Sequence, residues 1–551
     1  MAVPLVAWLP PAIQRRLRGA YHGFVYARRM LGEPIISANA IAGVQTRMAS
    51  RATVFLDTIE RTIFDYPSSP YRPLLEAAGY DLTRIRALIG HAGVEQALRQ
   101  LAADGVYVAI EEFKGIREAR RGNRVFRFSH EDFYNPLARA GLAASSGGTR
   151  SRGLSTSIPA ATGRLNAEHT AVTWTAYGLD GLPVVVWYPQ SADIGIATVL
   201  NAAARWAVPV HWLKQFPGYG SGDYAHYLGI KAGALSCGVT LPPQTYVPVG
   251  REWTILPLIA LEPCRKGCAV VTSPSSALRL SLAARRQGTN LANVTFLTTG
   301  EPLTPAKLAA IRAVGARAFS RFSFTEFGAA AAYGCASPTS PDDMHVCLDR
   351  IAVIQRRRAV DAIGNEVDGL LFTSLLSGGG RILLNMETGD YARMTTRRCG
   401  CLLEAIGWTD HLEEVRSFEK LAPEGGTFLG SKLISLIEEI LPAQFGGDPT
   451  DYQLLEHEDQ DSLTRLTILV HPRLGAIDGD AVVGCVERTL ETSEATNWMI
   501  TRIYREAGTV RVRRAAPIMT RAGKVMPLHQ LGTDQASGAR DIGNWRHTAA
   551  S

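Results

Sequence analysis

The 551-residue chain has no run approaching the roughly 20 apolar residues that a membrane-spanning helix needs, which excludes an integral helical membrane protein. Cysteine is scarce. Eight residues scattered over this length make no disulfide scaffold, and the expected setting is a reducing cytoplasm. One-sided charge is missing as well: Lys+Arg 58 against Asp+Glu 51 leaves only +7. The basic runs Arg356-Arg357-Arg358 and Arg511-Val512-Arg513-Arg514 are short and lack the interleaved aromatics of a nucleic-acid surface, so no nucleic-acid partner is expected. There is no internal repeat and no Gly-Lys-Ser/Thr phosphate loop. What remains is a globular composition, 46% hydrophobic and 20% charged, long enough for two or three domains.

The first residues, MAVPLVAWLPPAIQRRLRGAYHGF, put apolar side chains before the charges, the reverse of a secretory signal. They read as a lead-in and an amphipathic helix packed on the main domain, with peripheral membrane contact as the alternative. Residues 1–65 are expected to form a basic helical extension, with Arg15, Arg16, Arg18, Arg28 and Arg29. Within a large domain expected over 66–409, residues 66–135 mix short helices with polar turns, and from Pro183 to about Asp390 apolar β-like runs alternate with helices, as at Pro183 to Tyr188, Ala269 to Thr272 and Ser276 to Arg286. That alternation predicts a large α/β domain with largely parallel sheets. After Asp410 the texture changes to a small α+β unit, expected over 411–535.

One stretch carries the densest signal: Val294 to Gly328, VTFLTTGEPLTPAKLAAIRAVGARAFSRFSFTEFG. Val294 to Leu297 reads as a buried strand, Thr304 as an N-cap and Pro305 as the first helical residue, where its missing N–H costs nothing. Leu308, Ile311 and Val314 form one apolar stripe, Gly315 stops the helix, and Ala316 to Phe319 begins a second strand. Glu301 and Glu326 then follow successive strands, and ligands bind at the carboxyl ends of such strands. They are candidates for a cation site, or two solvated loop carboxylates.

Three further segments have suitable chemistry. In Ser145-Ser146-Gly147-Gly148-Thr149-Arg150-Ser151-Arg152-Gly153, glycines free backbone N–H groups to converge on an anion, and hydroxyls and arginines add donors. A linker has the same composition. Thr388-Gly389-Asp390 places a carboxylate where it can hold sugar hydroxyls, or merely a turn. Ala522-Gly523-Lys524 offers a cation on a loop.

In this order, SSGGTRSRG, Gly300-Glu301-Pro302-Leu303, FSFTEFG, ETGD, WTDHLEEVR and a terminal AGK, the segments resemble the adenylate-forming superfamily of acyl-CoA synthetases, phenylacetate–CoA ligase-like branch. The resemblance covers roughly residues 140 to 525. It implies that Ser145, Ser146, Gly147, Gly148, Thr149 and Arg152 wrap the ATP phosphates, Arg152 replacing the usual lysine. It implies that Glu326 holds Mg²⁺ beside Thr325, that Gly300, Glu301, Pro302, Phe322, Ser323 and Phe324 border the nucleotide, and that Asp390 binds ribose. It further implies that Asp410 marks the hinge of a mobile C-terminal domain and that Lys524 bridges carboxylate and α-phosphate. Ser323 stands where relatives have glycine and Trp408 where they have arginine, with Arg416 as its possible replacement.

Cys335, His345, Cys399 and Cys401 supply the count of soft ligands for a tetrahedral Zn²⁺ site, against free buried cysteines as the alternative. The resemblance implies a structural zinc held by a Cys, a Met-His and a Cys-x-Cys. Met344-His345 and Cys399-Gly400-Cys401 match, and Cys347 is the alternative to Cys335. Cys264 and Cys268 read as a turn, with a second ligand pair as the alternative. Aromatics between Trp212 and Tyr227 are candidates for an acid pocket or for core. The implied reaction is carboxylate plus Mg·ATP giving acyl-AMP and pyrophosphate, followed by transfer to CoA. A carrier protein or an amine are other acceptors, a nucleotide-binding homologue without catalysis is the rival reading, and a homodimer is left open.

Overall fold

A computed structural model describes residues 10–139, 141–145, 155–188, 194–205, 209–215, 221–248, 250–260, 264–359, 366–417, 430–458, 464–491, 510–519 and 525–530. The chain divides into two compact units. The first comprises Met1–Ser146, Leu154–Arg357 and Asp368–Val415; the second comprises Gly147–Gly153, Arg358–Val367 and Arg416–Ser551.

Among the described residues, twelve strands form one sheet in the first unit and its extensions. In chain order they are β1 (Val184–Tyr188), β2 (Pro209–Lys214), β3 (Gln244–Tyr246), β4 (Cys268–Thr272), β5 (Val294–Thr299), β6 (Arg317–Phe324), β7 (Ala329–Gly334), β8 (Met344–Val346), β9 (Ile351–Ala359), β10 (Glu366–Ser374), β11 (Met386–Thr396) and β12 (Asp410–Ser417). Their spatial order is 9-10-11-12-8-7-6-5-4-1-2-3. The block β3-β2-β1-β4-β5-β6 is parallel throughout. Every residue of β1 and β4 is buried, as expected of parallel strands covered on both faces.

Beyond β6 the sheet turns antiparallel, through β7, β8 and β12. The alternation of strands and helices stops there, because hairpins need no crossover. Pairing with β7 also explains why β6 runs on to Phe324 rather than ending near Phe319: Arg321–Phe324 find partners in Ala329–Tyr333.

Thr304 caps the helix Pro305–Arg312, its side chain accepting from the Lys307 N–H. The helix carries Leu308 and Ile311 into a core with Leu303, Val294, Phe296 and the face of the helix Pro274–Gln287. Cys264 and Cys268 lie in that core as well, Cys264 in a short 3-10 turn. Helices Pro11–Leu31 and Ser37–Ile59 form the amino-terminal extension. The second is anchored by Arg47, which donates to Asp349 at 2.8 Å and Glu168 at 3.0 Å, and by Arg51, which grips Glu95 with both guanidinium ends.

In the second unit, β13 (Tyr452–Glu458), β14 (Thr464–Val470), β15 (Val510–Arg514) and β16 (Leu528–Gln530) make a sheet in the order 15-14-13-16 among the described residues. Its apolar face packs on Leu433, Leu436, Ile437 and Leu441 and on Val482 and Val486 of the helix Gly479–Glu491.

Candidate functional site

The parallel pairing of β5 with β6 sets the Thr299-Gly300-Glu301 turn beside the Ser323–Gly328 segment. Thr299 pairs with Arg321, its hydroxyl donates to the Arg321 carbonyl at 3.0 Å, and it lies 3.2 Å from the Ser323 hydroxyl. Ser323 therefore spends its extra atoms on the neighbouring strand. The turn Thr325–Gly328 closes when the Gly328 N–H reaches the Thr325 carbonyl at 3.1 Å. Gly328 has φ +69, a conformation that a side chain resists. Asn166 donates to the Gly328 carbonyl at 3.4 Å, and Arg350, itself bonded to Asn166 at 2.8 Å and to the Ala330 carbonyl, lies 5.4 Å from the Phe327 ring centre. Asn166 and Arg350 carried no motif in the sequence, yet they brace the turn that presents Glu326.

The two carboxylates differ sharply. The Glu301 side chain is 1% exposed and accepts from the Ser275 N–H at 2.9 Å and the Ser275 hydroxyl at 2.7 Å, with Lys307 Nζ at 3.7 Å. It closes the first turn of the helix Pro274–Gln287, where backbone N–H groups lack helical partners. Glu326 is only half-buried on its turn.

Phe322 and Phe324 meet Phe372 of β10, with ring centres 6.0 and 4.7 Å apart. Strands β6 and β10 stand five places apart in the sheet, roughly 24 Å if it were flat. The sheet must therefore curl, and that curl brings the β10–β11 ladder toward the β6 turn. Asp390 lies in β11, accepting from the Thr388 hydroxyl at 3.0 Å. β11 is launched by Asn385 at φ 48, whose side chain donates to the carbonyls of Leu98 and Val106.

Asp410 opens β12 and accepts from Thr396 at 2.7 Å; Arg416, 7% exposed, begins the last segment of the second unit. Trp408 is fully buried, its ring 5.0 Å from His169 and 6.3 Å from Tyr333. A side chain held there is core, and it does not do the work of an exposed arginine.

Ser145 and Ser155 are paired as the ends of a β-hairpin, while residues 146–154 between them, with Ser146, Gly147, Gly148, Thr149 and Arg152, lie outside the described residues. Lys524 also lies outside them. Its flanks are held: Met519 and Val525 are bridged, and the buried amide of Gln453 bonds Ile518 N–H and carbonyl and the Met526 carbonyl at 2.7 to 3.0 Å. Gln453 was unmarked in the sequence.

Cys335, His345, Cys399 and Cys401 converge, with one ligand atom of each within 4.8 Å of the others. His345 Nε2 lies 3.5 Å from Cys399 Sγ and 3.3 Å from Cys401 Sγ, while its Nδ1 bonds the Trp408 carbonyl at 2.6 Å. That outer bond orients the ring as metal-ligating histidines require. A thiol hydrogen bond from Cys335 and the nearby His345 hold the Cys401 thiol well below its ordinary range. Three sulfurs and one imidazole nitrogen fit a closed tetrahedral zinc site. Cys347 is buried outside the group, so the structure gathers Cys335 instead. Behind it, Asp343 accepts from His411 at 2.6 Å, from the Thr339 N–H at 2.8 Å and from Arg397. Burial opposes its charge, but those donors hold its carboxyl down at about 2.

Of the aromatic stretch, Trp212 and Tyr227 pack edge to face in the core at 5.7 Å and Tyr224 is exposed; Phe216 and Tyr219 lie outside the described residues. A separate cavity of about 40 Å³ lies among Thr170, Thr173, Thr298, Ser320, Arg321 and Tyr333.

No known family profile matches the chain, and no curated protein is similar to it. Among solved structures it is similar to a 2-hydroxyisobutyryl-CoA ligase in complex with 2-HIB-AMP and CoA, at 15% identity over 95% of this chain and 96% of that one, TM-score 0.43. It is also similar to an anthranilate CoA ligase in complex with anthranoyl-AMP, at 13% identity over 73% and 67%, TM-score 0.42. The O-succinylbenzoate coenzyme A synthetase from Bacillus subtilis, in complex with ATP and magnesium ion, follows at 13% over 70% and 68%, TM-score 0.39. Superpositions this loose assign nothing; the chain's own residues must.

Proposed function

We propose that the chain is an adenylate-forming carboxylate ligase, which converts an acid and Mg·ATP to acyl-AMP and pyrophosphate and then passes the acyl group to a thiol, CoA first among the candidates. The observation that carries this is the parallel pairing of β5 with β6, Thr299 beside Arg321 and Ser323, from whose carboxyl ends the Gly300-Glu301-Pro302-Leu303 and Thr325-Glu326 turns follow. Glu326 is left to hold the magnesium of the nucleotide, because Glu301 is committed to the helix at Ser275. Asp390 is assigned the ribose, and Phe322 and Phe324 the adenine side. Lys524 supplies the cation that offsets charge as the carboxylate attacks the α-phosphorus. The Cys335-His345-Cys399-Cys401 group would hold a zinc ion of structural role, tying the β7–β8 region to the loop before β12.

The burial of Trp408 favours a second reading, a nucleotide-binding protein without catalysis, since relatives use an arginine there. ATP–pyrophosphate exchange across a panel of aromatic and aliphatic acids separates the two. Acid-dependent exchange that disappears in Glu326→Ala and Lys524→Ala is the expected result. ATP binding without exchange for any acid would leave only the second reading.

A further inference from the structure

The amino-terminal helix Pro11–Leu31 lies parallel to the helix Ser221–Leu235 at very short range. His226 Nδ1 is 3.0 Å from the Gly19 carbonyl, and a Cβ on Gly229 would meet the Ala20 carbonyl oxygen at 1.9 Å. A Cβ on Gly233 would meet the Phe24 carbonyl oxygen at 2.4 Å. The buried side of the first helix, Gly23, Tyr26, Ala27 and Met30, faces the body of the unit. Its outward side should then be polar. It is not: Ile13, Leu17 and Tyr21, one turn apart each, are 42% to 57% exposed. On the second helix Tyr224, Leu228 and Leu235 are 47% to 65% exposed. Six of the fourteen exposed large apolar side chains among the described residues therefore sit on two adjacent helices. Isolated exposed apolar residues need no explanation, but a clustered set does.

The charges around this surface are of one sign. The first 32 residues of the sequence contain five arginines, Arg15, Arg16, Arg18, Arg28 and Arg29, and no acidic side chain. All five are exposed. Arg15, Arg16 and Arg18 have no carboxylate partner among the described residues. At 100° per residue, Arg18 and Arg29 flank the Ile13-Leu17-Tyr21 stripe on one side and Arg16 on the other. An exposed apolar stripe with arginines at its margins, on a helix too polar to span, suits a helix lying in the plane of a lipid interface. A self-associating surface would place uncompensated arginines opposite their own copies, a repulsive arrangement.

We infer that the paired helices Pro11–Leu31 and Ser221–Leu235 form a docking surface for an anionic membrane. The apolar side chains enter the headgroup boundary and the arginines contact acidic lipid headgroups, while the remainder of the fold stays outside the bilayer.

The test is co-sedimentation of the full chain with vesicles of phosphatidylcholine alone and of phosphatidylcholine mixed with phosphatidylserine. The chain should bind the mixed vesicles, release with added salt, and leave neutral vesicles nearly unbound. Triple substitution of Arg16, Arg18 and Arg29 by Gln should lower binding by about a hundredfold, at roughly fivefold per arginine. Leu17→Asp with Tyr21→Asp should abolish it, while both variants keep the wild-type melting temperature. No binding to mixed vesicles at low salt, equal binding to neutral ones, or unaltered binding by the variants would overturn the inference. So would a concentration-dependent dimer, broken by Leu17→Asp, in a chain that ignores vesicles.

Discussion

The turn after β5 and the turn after β6 hold corresponding places at the same end of the sheet and do different work. Each delivers a glutamate past the carboxyl end of a parallel strand, and the strands are neighbours. Glu301 meets the N-terminus of a helix, two Ser275 donors and a lysine, and is sealed from water. Glu326 sits on a turn whose following carbonyls, of Gly328 and Ala330, are fastened by Asn166 and Arg350, and the residue is half-buried. A carboxylate that is already saturated holds the fold together; one held on a braced turn can take a cation.

The largest effect that would sharpen this contrast is on catalysis. Glu326→Gln and Lys524→Ala should each lower acid-dependent exchange by roughly 10²- to 10³-fold, with unaltered melting. If Glu326→Gln kept full activity, the division of labour would be wrong. Second in size is metal removal. Cys399→Ser with Cys401→Ser should take zinc, measured by elemental analysis, from about one per chain to none, and lower stability by several kcal/mol. A metal-free wild type of undiminished stability would remove zinc from the description.

Acid titration comes third. His169 is wholly buried, and desolvation pushes it down to about 4 despite Asp349 at 2.9 Å. Between pH 6.5 and 4 the unfolded chain binds a proton that the native histidine refuses, so stability falls as pH drops through that window. The loss is on the order of 3 kcal/mol. Asp349 is held at about 2, against burial, by His169 and Arg47, and its contribution is lost only below the ordinary aspartate range. Denaturation midpoints of wild type and His169→Gln across pH 7 to 4 check this; the variant should be flatter.

Glu301→Gln should destabilise by about 2 kcal/mol, the scale of a buried charge-assisted bond, while exchange per folded molecule stays near wild type. A selective loss of activity would move Glu301 to the side of Glu326. The smallest effect is expected at Gln453→Leu, which frees both stems around Lys524. Exchange should fall by about tenfold with ATP binding preserved, as small misplacements of reacting groups do. Equal loss of binding would mean that Gln453 acts on the fold alone.

Local pattern made much of this legible. The cap at Thr304, the strands around Val184 and Cys268, and the strand–helix–strand unit from Val294 onward depend on near neighbours and on burial of whole apolar runs. The extension of β6 to Phe324, the antiparallel half of the sheet and the encounter of Phe372 with Phe324 do not, because their partners are distant in sequence.

By itself, the sequence determined the elements, their periodicity and the order of the motif-bearing segments, since each follows from residues within a few turns of one another. Only the tertiary structure decided that Glu301 is bound to Ser275, that Cys335 rather than Cys347 joins His345, that Trp408 is core, and that Ile13, Leu17 and Tyr21 face outward. Saturation, ligand geometry and exposure are properties of what surrounds a side chain, and those surroundings come from strands and helices up to hundreds of residues away.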